Sequence, residues 1–179
     1  MKLKSTLMDK EGVLRSLRRI THEIIEKNRG TDNLCLVGVL SRGVPLAEII
    51  AENIKNIEGV SINVGVLDIL NHRDDLEKSQ INRENKTNIP FSIEGKNVVL
   101  VDDVLFTGRS ARASMDALMS LGRPSKIQLA VLIDRGHREL PICANFTGKN
   151  FPTARTELIK VLVDEHDGET CVKLYDTEE

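Results

Sequence analysis

Four short apolar runs alternate with stretches of helical spacing along this chain: LCLVGVL (34–40), VSINVGVLDIL (60–70), VVLVD (98–102) and KIQLAVLID (126–134). Runs of this length, rich in β-branched residues and bounded by turn residues, read as buried strands. Val13, Leu17, Ile20 and Ile24 recur on one face and predict a helix over 9–29 that Gly30 stops. VPLAEIIAENI (44–54) has the same period, with a proline near its start, where it is tolerated. Ala111, Met115, Leu118 and Leu121 predict a helix over 107–121, ended by Gly122 and Pro124. Strands alternating with helices predict an α/β fold, with a mostly parallel sheet covered on both faces. Extended pieces around 142–146, 158–164 and 170–175 would form a small appendage. Ligands of such sheets gather at the carboxyl ends of the strands.

The 179 residues suffice for a single domain, 1–179, with a real core. Hydrophobic residues make up 40% and charged residues 29%, with a net charge of −2, so the chain reads as globular and not uniformly basic. Any nucleic-acid site would therefore be a local patch. Cys35, Cys143 and Cys171 are scattered and odd in number, which predicts neither a disulfide framework nor a metal site. Together with the lack of a signal-like or membrane-spanning stretch, this predicts a cytoplasmic protein.

The stretch VVLVDDVLFTGRS (98–110) carries the chemistry. Asp102 and Asp103 stand where a strand is expected to end, followed by Thr107, Gly108, Arg109 and Ser110. Gly108 allows close approach of a ligand to the backbone. Helix amides and the hydroxyls of Thr107 and Ser110 can then donate to an anion. Carboxylates repel phosphate, but they accept hydrogen bonds from a vicinal diol. A sugar phosphate fits both halves, and Mg²⁺ suits such an oxygen-rich site. An isolated Asp-Asp pair would more often be an ordinary strand end; acids, glycine and hydroxyls together favour the ligand.

This stretch resembles the ribose-phosphate signature of type I phosphoribosyltransferases, which use 5-phosphoribosyl-1-pyrophosphate (PRPP) and Mg²⁺. Taken in order, VDDVLFTGR, MDAL, GRPSKIQLAVLIDRGHRELPI and GKNFPT resemble the family of bifunctional pyrimidine-operon regulators with uracil phosphoribosyltransferase activity. The resemblance covers nearly the whole chain. It implies that Asp102, Asp103, Val104, Leu105, Phe106, Thr107, Gly108, Arg109, Ser110 and Ala111 hold the ribose 5-phosphate. It makes Ser41, Arg42 and Gly43 the pyrophosphate loop, and residues 71–95 a lid. Within HRDDL (72–76), Arg73 would serve the departing pyrophosphate and the acids would assist the metal; His72 stands where relatives more often have Tyr. Catalysis would rest on Asp102, Asp103, Arg42 and Arg73, with Mg²⁺ held through pyrophosphate and ribose and through the two acids.

The same resemblance implies a hood from segments of 134–179 that reads uracil or UMP through Arg138 and the main chain of Val161. Purine-using relatives carry an acid just before the Thr-Gly pair; Phe106 stands there, either against a ligand or in the core, and disfavours a purine. His137 is expected to be a surface histidine. The family's regulatory half implies a pyrimidine leader mRNA and uridine nucleotides, UMP or UTP, as partners, and a homodimer or higher homo-oligomer. Arg15, Arg18, Arg19 and His22 fall at i, i+3, i+4 and i+7 and form a basic stripe suited to RNA phosphates, or a solvated face balanced by Glu23 and Glu26. Lys149 and Arg155 would extend it. The alternatives are an RNA-binding regulator whose pocket only senses nucleotide and, more distantly, a purine phosphoribosyltransferase.

Overall fold

The computed structural model of the protein describes residues 1–74 and 84–177. Its main sheet is parallel throughout, in the order β3-β2-β4-β5-β6, built from β2 (Leu34–Val39), β3 (Asn63–Leu67), β4 (Asn97–Leu105), β5 (Lys126–Asp134) and β6 (Phe146–Asn150). All six residues of β2 are buried, as its unbroken apolar run requires between two covered faces. Helices α1 (Lys10–Asn28) and α2 (Gly43–Glu58) cover one face of the sheet. The opposite face packs against α3 (Arg109–Met119).

The first helix follows its sequence signals closely. Asp9 caps it by accepting the Gly12 amide at 2.8 Å, and Val13, Leu17, Ile20 and Ile24 are buried. It ends at Asn28, two residues before Gly30, because Arg29 itself takes the left-handed conformation, with φ 56°. The third helix is shorter than expected. It ends at Met119, so Leu121 lies beyond it and is 52% exposed, and the buried face comprises Ala111, Ala113, Ser114, Ala117 and Leu118.

A second, antiparallel sheet has the order β1-β8-β7, from β1 (Lys2–Met8), β7 (Glu157–Leu162) and β8 (Cys171–Asp176), with a short α4 (Asp164–Asp167) between the last two. Two of the three expected appendage pieces, around 158–164 and 170–175, form this sheet together with β1, while the piece around 142–146 leads into β6 of the main sheet. Nothing in the spacing of residues 2–8 marks a strand; pairing with β8 makes it one. Likewise β6 begins at Phe146, where an extended piece was expected to end.

The most consequential difference lies in β4. It runs on to Leu105, so Asp102 and Asp103 sit within a strand, not at its tip. On its β2 side, pairing stops at Val101, opposite Gly38; on its β5 side it continues to Leu105, opposite Asp134. The chain turns outward to β3 after β2 and to β5 after β4. The gap between β2 and β4 is thus the topological switch point of the sheet, where ligands of open α/β sheets sit.

Candidate active site

Two adjoining cavities open at this switch point. The first, about 280 Å³, is lined by Ser41, Arg42, Asp68, Arg73, Asp102, Asp103 and Ser110 among others. The second, about 330 Å³, shares Arg73, Asp102, Val104 and Ser110 with it and continues along Leu105, Phe106, Thr107, Gly108, Arg109 and Ala111. Every residue expected to bind ribose 5-phosphate, and the pyrophosphate residues Ser41 and Arg42, thus lines one connected space.

Gly43 lies beneath it, buried, for a steric reason. A Cβ there would stand 2.3 Å from the carbonyl oxygen of Val101, so only glycine lets α2 start this close to β4. Gly108 precedes α3 with φ 93°, which glycine adopts without strain. Neither α2 nor α3 has a side-chain cap. Arg42, just before α2, lines the first cavity, and Arg109, Ser110 and Ala111 at the start of α3 line the second, so the positive end of the α3 dipole lies beside the ligand space.

The two acids are half-buried and braced by their own backbone. Asp102 Oδ1 accepts the Asp103 amide at 2.9 Å, and Asp103 Oδ1 accepts the Val104 amide at 2.8 Å. Burial raises the pKa of Asp102 well above the usual carboxylate range, and the neighbouring Asp103 adds to this; Arg73 acts in the opposite sense. Burial raises that of Asp103 too, while the backbone amides and the charge of Arg42 oppose it. Arg73 is thus within electrostatic reach of Asp102, and Arg42 of Asp103.

Several residues have partners that the sequence did not suggest. Arg138 was expected to read the base, but its guanidinium is directed into the hood loop. Nε donates to the Ile142 carbonyl at 2.9 Å, Nη1 to that of Phe106 at 2.7 Å, and Nη2 to the Asp134 carboxylate. Neither Arg138 nor Val161, which is buried in β7 opposite Val172, lines the two cavities. His137 is half-buried, not a surface residue: its ring bonds the Thr153 carbonyl and meets the Phe106 ring edge-on at 5.8 Å. The Arg135 guanidinium lies 4.1 Å from the centre of the same ring.

Of the lid expected over 71–95, residues 75–83, including Asp75, lie outside the described residues. Asp74 pairs with Arg109 at 3.1 Å, and Glu139 pairs with the same arginine at 2.9 Å. His72 Nδ1 is 2.8 Å from Asp116 on α3. Asp68, which no expectation named, is only 2% exposed at the cavity wall, and its carboxylate accepts the amides of Leu70 at 3.1 Å and Lys86 at 3.0 Å. It ties together the two flanks of the segment. Its signal in the sequence is a carboxylate interrupting the apolar run 60–70.

Away from the sheet ends, the basic stripe of α1 is exposed. Arg15, Arg19 and Lys149 share a cleft of about 610 Å³ with Thr6, Asp9 and Ser16. Arg18, His22 and Arg155 are exposed outside it. Glu11 pairs with Arg15 and Glu23 with Arg19, whose guanidinium also donates to the carbonyls of Thr147 and Gly148.

A parallel sheet with a switch-point cleft holding paired acids, arginines and two open helix starts defines a sugar-phosphate transferase of the type I class. The phosphoribosyl transferase domain model matches residues 5–154. The bifunctional protein PyrR of Acetivibrio thermocellus is 56% identical over 176 residues, covering 98% of this chain and 96% of its own. That of Thermus thermophilus is 55% identical over 179 residues, covering 99% of each. The chain belongs to this bifunctional PyrR family of phosphoribosyltransferases, in agreement with the regulator and uracil phosphoribosyltransferase expected from 98–153. Among solved structures, the hypoxanthine phosphoribosyltransferase of Trypanosoma cruzi superposes with a TM-score of 0.75 over 98% of both chains at 16% identity, a likeness of fold.

Proposed function

We propose that the protein transfers the phosphoribosyl group of PRPP to uracil, releasing pyrophosphate and forming UMP, and that it regulates pyrimidine genes by binding their leader mRNA in response to UMP or UTP. The observation that carries the enzymatic half is the convergence of Asp102, Asp103, Arg42 and Arg73 on one cleft between two uncapped helices.

In this reading the α3 start, with Thr107, Gly108, Ser110 and Ala111, binds the 5-phosphate. The acids accept the ribose hydroxyls, and their charge stabilises the positive character that develops on the sugar as the pyrophosphate bond breaks. Ser41, Arg42, the α2 amides and Arg73 take up negative charge on the leaving pyrophosphate. Uracil attacks through N1 and is placed between the phosphate loop and the hood; Arg138 supports that place through the Phe106 carbonyl, and the main chain of Val161 flanks the base. Rate comes from positioning and electrostatics.

Asp102 and Asp103 supply hard oxygen atoms close together, a donor set that suits Mg²⁺ taking its other ligands from PRPP. When bound, the ion neutralises pyrophosphate charge. Among the described residues, no group of three acidic, histidine or cysteine side chains is arranged as a protein-only metal cage.

The regulatory half uses the exposed basic stripe, with Arg15, Arg18, Arg19, His22, Lys149 and Arg155 contacting RNA phosphates, in a homodimer or higher homo-oligomer that joins two such surfaces. That stripe also favours a second reading, in which the pocket only senses nucleotide.

UMP formation from uracil, PRPP and Mg²⁺, with hypoxanthine and guanine in parallel, separates the readings. Turnover with uracil that Asp103→Asn abolishes supports the enzyme. A folded protein that binds UMP without turnover leaves the sensor. Binding of a pyrimidine leader hairpin, strengthened by UMP and weakened by salt and by Arg18→Ala, tests the regulatory half.

A further inference from the structure

The side chain of Arg42 enters the cleft already held by an acid from the opposite end of the sequence. Asp167, on α4 of the second sheet, accepts Nη2 of Arg42 at 2.8 Å through Oδ1 and Nε at 3.3 Å through Oδ2. Its Oδ2 also accepts the Val163 amide at 2.9 Å, and its own amide donates to the Val163 carbonyl at 2.8 Å, so this carboxylate has little freedom to move. The pair is partly shielded, with side-chain exposures of 16% for Asp167 and 36% for Arg42. Hydrogen bonding to Arg42 holds the Asp167 carboxyl below its usual range.

Bidentate pairing uses one edge of the guanidinium and fixes its plane. Among the described residues Nη1 has no hydrogen-bond partner. Arg42 lines the cavity beside Ser41 and Asp103, and its charge is felt by Asp103. A free arginine on this loop would sample many rotamers and would have to be immobilised each time an anion bound. With Asp167 in place, that ordering is complete beforehand.

We propose that Asp167 is a positioning residue for the pyrophosphate end of the site: it orients Arg42 so that the open edge of the guanidinium meets the leaving pyrophosphate. The second sheet thereby acts in the reaction as well as over the base. The neighbouring acid Asp164 serves as a contrast, because it points away from the cleft to Lys10 on α1, at 2.5 Å. This inference rests on the pyrophosphate role proposed above for Arg42.

The test is steady-state kinetics in both directions, UMP synthesis and pyrophosphorolysis of UMP, for the full chain with Mg²⁺. The variants are Asp167→Asn, Asp167→Ala, Asp164→Asn, Arg42→Ala and the double variant Arg42→Ala/Asp167→Asn. Asp167→Asn keeps an oxygen for the Val163 amide but loses the charge. It should raise KM for both PRPP and pyrophosphate about tenfold, the loss of one charge-assisted hydrogen bond, while KM for uracil stays within about twofold. Asp167→Ala should do at least as much, and Asp164→Asn should change neither. On the Arg42→Ala background, Asp167→Asn should have no further effect, since the residue it orients is gone.

If Arg42→Ala weakens pyrophosphate but Asp167→Asn does not, or if the two effects add, this inference is overturned and the reading of Arg42 stands. A general loss of activity with equal changes for uracil and pyrophosphate overturns it too, as the mark of a merely structural role. Unchanged pyrophosphate binding in Arg42→Ala removes the premise and overturns both.

Discussion

The guanidinium of Arg135 lies 4.1 Å above the ring of Phe106, and the same arginine donates to Thr153 Oγ1 at 2.9 Å and to the carbonyls of Ala154 and Glu157. Phe106 is thus clasped between the cavity and a buried cation. A purine-type acid introduced here would meet that cation before it met a base. Phe106→Glu is therefore expected to form an ion pair with Arg135 and to lose uracil turnover without gaining purine turnover. Hypoxanthine and guanine assays of the variant check this; purine turnover would show that the acid reaches the base.

Asp102 and Asp103 are held as acids in a place that disfavours their charge. A carboxyl whose folded-state pKa lies above its ordinary value of 3.8 destabilises the fold fully above the raised value and not at all below the ordinary one. Asp102→Asn, which keeps an oxygen for the Asp103 amide, should therefore raise Tm at neutral pH, by about 2–4 °C for each kcal/mol of penalty removed. That gain should disappear as the pH falls toward about 4. Activity should be lost at every pH. Thermal melts across pH, beside UMP synthesis, measure both.

Gly43 is a steric requirement of the turn between β2 and α2. In Gly43→Ala the new methyl would stand 2.3 Å from the Val101 carbonyl oxygen, and relieving that overlap would displace either α2 or β4. Overpacking of this kind costs about 1–3 kcal/mol. Tm should fall, and KM for PRPP should rise more than KM for uracil, because the displaced loop carries Ser41 and Arg42. A variant with native kinetics would refute the close-approach argument.

Arg138 separates a scaffold from a reader of the base. Arg138→Ala removes a donor from four backbone carbonyls and from the Asp134 carboxylate, a cost of about 2 kcal/mol or more. Tm should fall by about 4–8 °C, together with uracil turnover. A rise in KM for uracil with Tm unchanged would instead assign Arg138 to the base directly.

Much of this was legible in the order of residues. Alternating apolar runs and helical faces specify a parallel α/β sheet, because a strand buried on both faces must be apolar throughout and a helix lying on it on one side only. The DDVLFTGRS segment is legible for a related reason: its chemistry is local, with acids, glycine and hydroxyls following one another within a single strand-to-helix turn. Asp68, a lone acid in an apolar run, left a weaker signal, since its partner amides, on Leu70 and Lys86, stand far apart in the chain.

Folding alone sets the pairings between distant segments, where no periodicity connects the partners. Residues 2–8 become a strand because β8 offers an edge, and Arg138 meets the Phe106 carbonyl and Asp134. Asp167 reaches Arg42 across 125 positions of sequence. The sheet follows from local pattern, and the family and the residues expected to hold phosphate follow from the motifs between 98 and 153. The partner of each charge depended on distances of a few ångströms between elements, and those distances exist only once the sheet has folded.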